Sequence, residues 1–425
     1  MAEMKDSGIE WIGDIPQNWK LKRIQFCLDE INEKNIPIKT EQVLSLVKDK
    51  GVMLYEDKGN QGNKAKEDVS QYKVAYPNTL IVNSMNILIG SVGISNYLGC
   101  VSPVYYVFKE NEDSDLRYIN YIFNTREFQK ELRKYANGIL EIRLRVSSSD
   151  IFKRKIPLPD KHIQTKIANF LNKKCAEVDA LHTDIEKQIE TLEEYKKSII
   201  TEAVTKGLDP DVEMKDSGIE WIGMIPKEWE CKKIKYVTNL SRGIFGHRPR
   251  NDPRYYDGKY PFIQTGDVAC ATKVITNYSQ TLNEFGKKVS KEFKKGTIAL
   301  TIAANVGDVS ILGFNAYFPD SIMAVIPHKE IDNMYFYYIL SIMKSEFLRV
   351  AIINTQLNLN VERVGNLYIP ITFDKNKQKE IVKYLDEKRA EIDGAIEEKK
   401  EQLETLEQYK KSLIYEYVTG KKEVK

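Results

Sequence analysis

The side chains that could carry chemistry in this chain are basic and amide groups, without the motifs of a catalytic centre. No G-x-G-x-x-G, Walker A, HExxH or G-x-S-x-G pattern occurs in the 425 residues. Residues 251–255 loosely resemble the Asp/Asn-Pro-Pro-aromatic element of amino-methyltransferases, but the second proline is missing. Residues 210–215 loosely resemble a metal-dependent nuclease site, but they crowd into one short segment. We therefore predict no catalytic residues and no metal site.

Positive charge is concentrated in two stretches, although the formal net charge is only +3. Residues 232–259 hold eight Lys or Arg against two Asp, and residues 130–155 hold eight against three acidic residues. Such patches are the electrostatic footprint of a polyanion partner. A solvated basic loop would give the same pattern, so charge alone leaves both interpretations open.

Two segments occur twice and define the elements that must position these basic residues. Residues 4–25 match 214–235 at 15 of 22 positions, and residues 164–205 match 378–419 at 20 of 42. The sequences between them look almost unrelated, so a repeated frame carries two different inserts. The repeat is too long for a solenoid, whose units span roughly 20–50 residues. This organisation indicates a two-site reader on a common scaffold.

The second repeated segment is predicted to be a long helix in both copies. In the first copy, apolar residues recur every seven positions, with Leu181 and Tyr195 in the other seam position: Leu171, Val178, Ile185, Leu192 and Ile199. The second copy has the same pattern, joined by Ala395 and Tyr409: Leu385, Ile392, Leu406 and Leu413. Sustained heptads favour a coiled-coil pair. The residues leave its direction open, antiparallel for a pseudo-two-fold chain or parallel for a translational repeat.

The inserts are predicted to be mixed α/β, and the long helices to end at Gly207 and Gly420. We expect strands at 80–82, 104–108 and 298–300, helices within 116–135 and 334–350, and turns at 90–93 and 307–313. Five scattered cysteines without CxxC spacing favour reduced thiols. The absence of a secretory signal and of any apolar run near 20 residues predicts a cytoplasmic chain with no membrane partner.

The repeated frame resembles the specificity subunit of type I restriction–modification systems. The matching residues are the doubled phrase SGIEWIG–IP–W at 7–19 and 217–229, and IETLEEYKKSII and LETLEQYKKSLI in the two helices. Residues 84–108 and 354–370 resemble parts of target-recognition domains. The resemblance implies an α+β fold in which two globular α/β target-recognition domains alternate with two long helices. These helices would pair as an antiparallel coiled coil in a pseudo-two-fold internal repeat.

The resemblance also implies domain boundaries. The first target-recognition domain would span 1–157 and the first spacer helix 158–206. A linker at 207–213 would precede the second target-recognition domain at 214–370. The second spacer helix and a tail would occupy 371–425.

The family implies a non-catalytic role in which each target-recognition domain reads one half of a bipartite site in double-stranded DNA. The helices would act as a ruler between the half-sites. Two methyltransferase subunits and restriction/translocase subunits would bind this scaffold. The chain itself would need no cofactor, because S-adenosylmethionine, ATP and Mg would belong to those partners.

Basic, amide and hydroxyl side chains of the inserts are the predicted DNA contacts, since Lys and Arg bind phosphates and Arg, Asn or Gln read base edges. In the first insert they are Lys64, Lys66, Asn83, Asn86, Arg143, Arg145, Ser147 and Ser148. In the second insert they are Arg242, His247, Arg248, Arg250, Arg254, Gln264, Thr265, Asn358 and Asn360. A surface or turn role is the alternative for each residue taken singly.

Three further alternatives remain at this level. The repeated Trp11, Trp19, Trp221 and Trp229 could dock partners, but we favour packing of each insert onto the helices. The whole chain could be a coiled-coil interaction scaffold that binds another acidic partner, in which case its DNA binding would be sequence-blind. An enzyme is the third class, against which the missing motifs argue.

Overall fold

The computed structural model describes residues 3–48, 50–59, 68–138, 144–353 and 357–424. The first half of the chain alternates short strands and helices before one long helix. Its strands are β1 (Met4–Asp6), β2 (Asp14–Pro16), β3 (Lys20–Arg23), β4 (Leu28–Ile31), β5 (Leu44–Val47), β6 (Gly51–Leu54), β7 (Lys73–Ala75), β8 (Thr79–Asn83), β9 (Val92–Ser95), β10 (Gly99–Val101), β11 (Tyr105–Glu110) and β12 (Lys155–Leu158). Its helices are α1 (Leu116–Phe123), α2 (Arg126–Arg133), α3 (Ser148–Lys153) and α4 (Lys161–Lys206).

The second half follows the same plan. Its strands are β13 (Met214–Asp216), β14 (Met224–Pro226), β15 (Glu230–Lys233), β16 (Thr238–Arg242), β17 (Tyr256–Phe262), β18 (Val274–Ile275), β19 (Gln280–Leu282), β20 (Glu292–Phe293), β21 (Ile298–Thr301), β22 (Val309–Leu312), β23 (Ala316–Tyr317), β24 (Ile322–Pro327), β25 (Ile352–Ile353), β26 (Leu357–Asn358) and β27 (Tyr368–Ile371). Its helices are α5 (Thr265–Cys270), α6 (Glu284–Lys288), α7 (Asn333–Ser341), α8 (Lys344–Val350), α9 (Val361–Asn366) and α10 (Lys375–Val418).

The chain forms two compact units that each contain part of both long helices. Unit 1 comprises Met1–Glu186 and Lys400–Lys425, and unit 2 comprises Lys187–Lys399. The first part of α4 and the last part of α10 therefore belong to unit 1. The remaining parts of the two helices belong to unit 2.

The two inserts share one core topology despite their unrelated sequences. In unit 1 the central antiparallel sheet has the order β4-β11-β8-β9, and Val107 of β11 pairs with Ile81 of β8. In unit 2 the order is β16-β24-β21-β22, with β18 added in parallel to β22. Each sheet is followed by a pair of short helices, α1 and α2 or α7 and α8, that pack into the same apolar core. The two inserts therefore repeat each other in structure, although their sequences look unrelated.

A fully buried glutamine fastens each long helix to its insert. Gln164 Oε1 accepts a hydrogen bond from the Asp115 N–H at 3.0 Å, and Nε2 donates to the carbonyls of Asp113 and Pro159. The equivalent Gln378 in unit 2 accepts from the Asp332 N–H at 2.6 Å and donates to the carbonyls of Glu330 and Thr372. Both amides are 0% exposed. Asp115 and Asp332 in turn cap the N-termini of α1 and α7.

The long helices pair antiparallel within each unit, as predicted. In unit 1, Lys410 Nζ of α10 lies 2.5 Å from Asp179 Oδ1 of α4, and Phe170 contacts Tyr417 with ring centroids 4.5 Å apart. In unit 2, Lys196 of α4 lies 2.9 Å from Asp393 of α10, and Lys399 donates to Gln188. Partner numbers rise on one helix as they fall on the other, which is the signature of an antiparallel pair.

The predicted second seam position is wrong. Leu181, Tyr195 and Tyr409 are each about half exposed, at 53%, 54% and 50%. The seam instead uses the residue four positions after each heptad leucine or isoleucine, where Cys175, Ala203 and Ile396 are buried. Polar His182 and Lys196 occupy the same position in the middle of α4 and hid it from the apolar pattern.

Local predictions for the inserts need two corrections. The predicted helix within 116–135 is two helices, because Thr125 caps α2 with its Oγ accepting from the Phe128 N–H. The predicted turns at 90–93 and 307–313 are partly strand, since β9 begins at Val92 and β22 occupies Val309–Leu312. Strands at 80–82, 104–108 and 298–300 are confirmed within two residues of their ends.

The repeated tryptophans pack in the cores, as favoured from the sequence. Trp11, Trp19 and Trp229 are at most 7% exposed, and Trp221 is partly buried against the unit 2 core. Trp229 meets Gly207 just after α4, and Trp19 meets Gly420 just after α10. Both glycines have positive φ, 79° and 72°, so they end the helices in a conformation that other residues rarely adopt.

Candidate nucleic-acid interface

A basic loop at residues 242–255, from the last residue of β16 to the start of β17, carries five of the nine predicted contacts of the second insert. Its first part is fixed to the domain core, because the Gly243 N–H donates to the Ile322 carbonyl at 2.8 Å and the Gly246 N–H donates to the Val289 carbonyl at 2.9 Å. A side chain at Gly243 would collide with the carbonyl oxygens of Phe318 and Pro319. The loop is therefore held by its backbone, and its arginines lie on the outside.

Three arginines of this loop converge on one acidic residue. Arg248 Nη2 lies 3.2 Å from Asp320 Oδ2, and Arg250 Nη2 binds the other carboxylate oxygen. The Arg242 Nε–H donates to the Asp320 backbone carbonyl. Arg248 also donates from Nη1 to the carbonyls of Phe245 and His247 at 2.6 and 2.8 Å. All three arginines remain exposed to solvent.

A second carboxylate organises the end of the loop. Asp252 Oδ2 lies 2.6 Å from Arg254 Nη2 and 3.1 Å from His247 Nε2. Hydrogen bonds from Arg254 hold the pKa of Asp252 well below its usual range, and Asp252 raises the pKa of Arg254 in return. The His247 ring stacks on Tyr255 at a centroid distance of 4.1 Å. The element at 251–255 is thus a basic turn capped by Asp252.

Gln264 and Thr265 lie at the opposite end of β17 from this loop. Gln264 is the N-cap residue of α5, where its N–H donates to Asp267 Oδ2 at 2.7 Å, and its Nε2 donates to Gln280 Oε1 at 2.9 Å. Both residues are partly exposed. The structure therefore does not bring them together with the arginine cluster, and their DNA contact stays a prediction.

The described residues contain no group of three or more His, Cys, Asp or Glu side chains arranged to hold a metal ion. Within the same ranges, no helix is long and apolar enough to cross a membrane.

Comparison with known proteins identifies the family. The model of the type I restriction modification DNA specificity domain matches residues 16–191 and again 226–405. The chain belongs to this family. Each match begins in the first repeated segment and extends into a long helix, so the duplicated frame and its insert correspond to one specificity domain.

Curated relatives match over most of the chain. A putative type I restriction enzyme MjaX specificity subunit of Methanocaldococcus jannaschii is 27% identical over 97% of this chain and 96% of its own. The MjaVIII specificity subunit of the same organism is 24% identical over 81% of this chain and 77% of its own.

Solved structures share the fold at low identity. A chain from a study of complex assembly and conformational transition of the type I R-M system aligns with a TM-score of 0.73, at 14% identity over 95% of this chain and 98% of that one. The HsdS subunit from Thermoanaerobacter tengcongensis aligns with a TM-score of 0.53, at 15% identity over 98% of this chain and all of that one. These similarities show the architecture of two specificity domains and two long helices.

Predicted contact residues occupy equivalent positions in the two specificity domains. In the first domain, the Val146 N–H donates to the Ser84 carbonyl, and in the second the Leu359 N–H donates to the Ile302 carbonyl. Arg145 and Asn358 precede these anchors, and both are exposed. Two residues later on, Ser147 and Asn360 cap the short helices α3 and α9. Contact residues predicted from two unrelated sequences therefore occupy equivalent positions in the two domains.

The remaining first-domain residues are placed unevenly. Asn86 is exposed beside this site, and Ser148 is partly exposed at the start of α3. Asn83 is only 4% exposed and its Oδ1 accepts from the Met85 N–H, which gives it a turn-stabilising role. Lys64, Lys66 and Arg143 lie outside the described residues. DNA contact by any of them stays a prediction.

A lysine-rich segment next to the arginine loop was missed from the sequence. Lys291 Nζ lies 2.7 Å from Ser241 Oγ, and Phe245 of the loop bridges to Ser290. Lys287 Nζ lies 4.5 Å from the centre of the Tyr260 ring, and Lys288 lies over Phe285, which is 65% exposed. Five lysines between 287 and 295 were the available signal. Lysines beside exposed aromatic rings suit a phosphate backbone and widen the basic surface of the second domain.

Proposed function

We propose that this chain is the DNA-recognition subunit of a type I restriction–modification complex and reads a bipartite site in double-stranded DNA. The observation that carries the proposal is the presence of two specificity domains in one chain. Their shared core with different surfaces suits two readers of two different half-sequences. The exposed arginines of the second domain supply the donors for such reading, because one guanidinium can bind both acceptors of a guanine edge.

The long helices are proposed to set the gap between the half-sites. α4 has 46 residues and α10 has 44, and both continue from one unit into the other without interruption. Because an α-helix advances about 1.5 Å per residue, helix length is a natural measure of distance along DNA.

Partners are proposed to carry out the chemistry. Two methyltransferase subunits would modify the DNA with S-adenosylmethionine, and restriction/translocase subunits would use ATP and Mg. The chain itself would be non-catalytic and cofactor-free, and its DNA ligand would place it in the cytoplasm. Two copies of the frame are consistent with two copies of one partner.

A genome-wide map of methylated adenines, in cells with and without this chain, tests the proposal. We expect deletion to remove methylation from one motif consisting of two short sequences separated by a fixed gap. Restoring the chain from a plasmid should restore the same motif. Unchanged methylation in cells that express the partner subunits would contradict the proposal.

A further inference from the structure

Asp320 binds arginines of the loop through its carboxylate and its backbone carbonyl. These contacts would have to break before the same N–H donors could bind DNA phosphates. The two carboxylate oxygens of Asp320 are divided between Arg248 and Arg250, and its backbone carbonyl accepts from Arg242. The Asp320 side chain is 28% exposed, whereas the side chains of Arg248 and Arg250 are 55% and 46% exposed. The carboxylate therefore lies beneath an exposed pair of guanidinium groups.

The position of this carboxylate is fixed by the fold. Asp320 follows Pro319, whose carbonyl oxygen packs against Gly243 at the start of the loop. The Gly243 N–H also donates to the carbonyl of Ile322, two residues after Asp320. The turn that carries the acid and the loop that carries the arginines are thus joined by backbone contacts on both sides of the ion pairs.

The ion pairs occupy some N–H donors of the arginines and leave others available. Arginine has five N–H donors. Arg248 directs one Nη2–H to Asp320 and both Nη1–H groups to loop carbonyls, which leaves its Nε–H and second Nη2–H outside these contacts. A base edge at the right place can use the remaining donors while Asp320 keeps the guanidinium oriented. A phosphate elsewhere can be reached only if the side chain leaves the carboxylate.

We propose that Asp320 is a specificity-determining residue of the second domain, which restrains Arg248 and Arg250 from non-cognate phosphates and orients them for one half-site. The inference rests on the proposed function, because it requires that the domain reads DNA. It adds a role for an acidic residue in an interface for which the sequence predicted no acidic contact.

The test uses Asp320→Asn in the full chain assembled with its modification subunits. Binding is measured by fluorescence anisotropy on three duplexes, which carry the mapped motif, the motif with its first half scrambled, and the motif with its second half scrambled. Each titration is repeated over a series of salt concentrations. Asp308→Asn is the matched control, because it removes the same charge from a surface pair with Lys344 in the same domain.

We expect Asp320→Asn to bind the duplex whose scrambled half is the one read by the second domain about three- to tenfold more tightly at low salt, because two arginines become free to bind phosphates there. The slope of log affinity against log salt should steepen by up to about 2, at about 0.9 per phosphate contact. Discrimination should fall at one half-site and remain at the other. Adding Arg248→Gln and Arg250→Gln to Asp320→Asn should abolish the gain in non-cognate affinity.

Other outcomes overturn the inference. Discrimination within twofold of the wild type would show that the carboxylate does not restrain the arginines. An equal loss at both half-sites with a lower melting temperature would assign Asp320 to folding alone. A gain that survives the two arginine substitutions would assign the effect to charge removal in general. A wild-type complex that does not distinguish the three duplexes would contradict the proposed function itself.

Discussion

Gln164 and Gln378 are buried amides whose hydrogen-bonding groups all have partners. Each connects the first turn of a long helix to the N-terminus of an insert helix and to two backbone carbonyls. A buried donor or acceptor that loses its hydrogen-bond partner costs about 1–3 kcal/mol of folding free energy. These residues therefore fix the helix to the insert more specifically than apolar contact alone.

Replacing Gln164 with Leu should destabilise unit 1 by about 2–4 kcal/mol, because the Asp115 N–H and two carbonyls lose their partner. Hydrogen exchange monitored by mass spectrometry would localise the loss to unit 1. Gln378→Leu should give the same loss in unit 2, and Gln408→Leu at an exposed position should change stability by at most about 0.5 kcal/mol. Equal effects of Gln164→Leu on both units would refute this assignment.

Arg248→Ala should alter the reading of only one half-site. Loss of a base-reading arginine costs about 1–3 kcal/mol of discrimination at its position. The methylation motif would then relax in the half read by the second domain. Arg145→Ala, an exposed change in the first domain, should relax the other half. If Arg248→Ala weakened both halves equally, misfolding would be the better explanation.

At the scale of elements, the helix pair has a seam that repeats every seven residues on both helices. Deleting 184–190 and 398–404 removes one heptad from each helix and preserves the seam. Seven residues correspond to about 10 Å of helix, or about three base pairs of DNA. The gap in the methylated motif should shorten accordingly, and both half-site sequences should persist.

A deletion of four residues from each helix is the matched control. It removes about 6 Å from each helix but takes the seam out of register, so it should destabilise the pair rather than yield a clean new gap. An unchanged gap in a stable seven-residue deletion variant would contradict the role of the helices as a ruler.

The sequence predicted those elements whose pattern is local and apolar. The helix pair, its two glycine ends and the strands at 80–82 and 298–300 follow from such patterns. The second seam position did not, because His182 and Lys196 occupy it in the middle of α4. The shared core of the two inserts was also hidden, since strand pairing depends on contacts far apart in sequence.

The sequence identified the arginines of the candidate interface but did not predict how they are arranged in space. The arginines of the loop were identified as basic residues between glycines. Their convergence on Asp320 joins residues about 70 positions apart, a relation that spacing along one loop does not contain. The equivalence of Asn358 and Arg145 likewise appears only once the anchors at Val146 and Leu359 are seen.

At the scale of the whole molecule, unit 1 is made from both ends of the chain. Leu413 and Val418 are at most 5% exposed in its core, and the Tyr118 hydroxyl lies 2.8 Å from the Val418 carbonyl oxygen. Tyr415 donates to the Trp11 carbonyl at 3.0 Å. Unit 2 is one continuous segment.

Removing 400–425 should therefore loosen unit 1 and spare the insert core of unit 2. Hydrogen exchange should become faster in the sheet β4-β11-β8-β9 and stay slow in β16-β24-β21-β22. A synthetic peptide of residues 400–425, added in excess, should restore the protection of unit 1. Unchanged protection in the truncated chain would show that the C-terminal helix is not needed there.

The divided construction of unit 1 has a consequence for biosynthesis. Translation proceeds at about 5–20 residues per second, so the 213 residues of Lys187–Lys399 take roughly 10–40 s to make. Throughout that time residues 1–186 of the nascent chain lack the segment that contacts Tyr118 and Trp11. Residues 400–425 complete unit 1 only after all of unit 2 has been made, which gives chaperones an interval in which to bind the uncovered apolar surface.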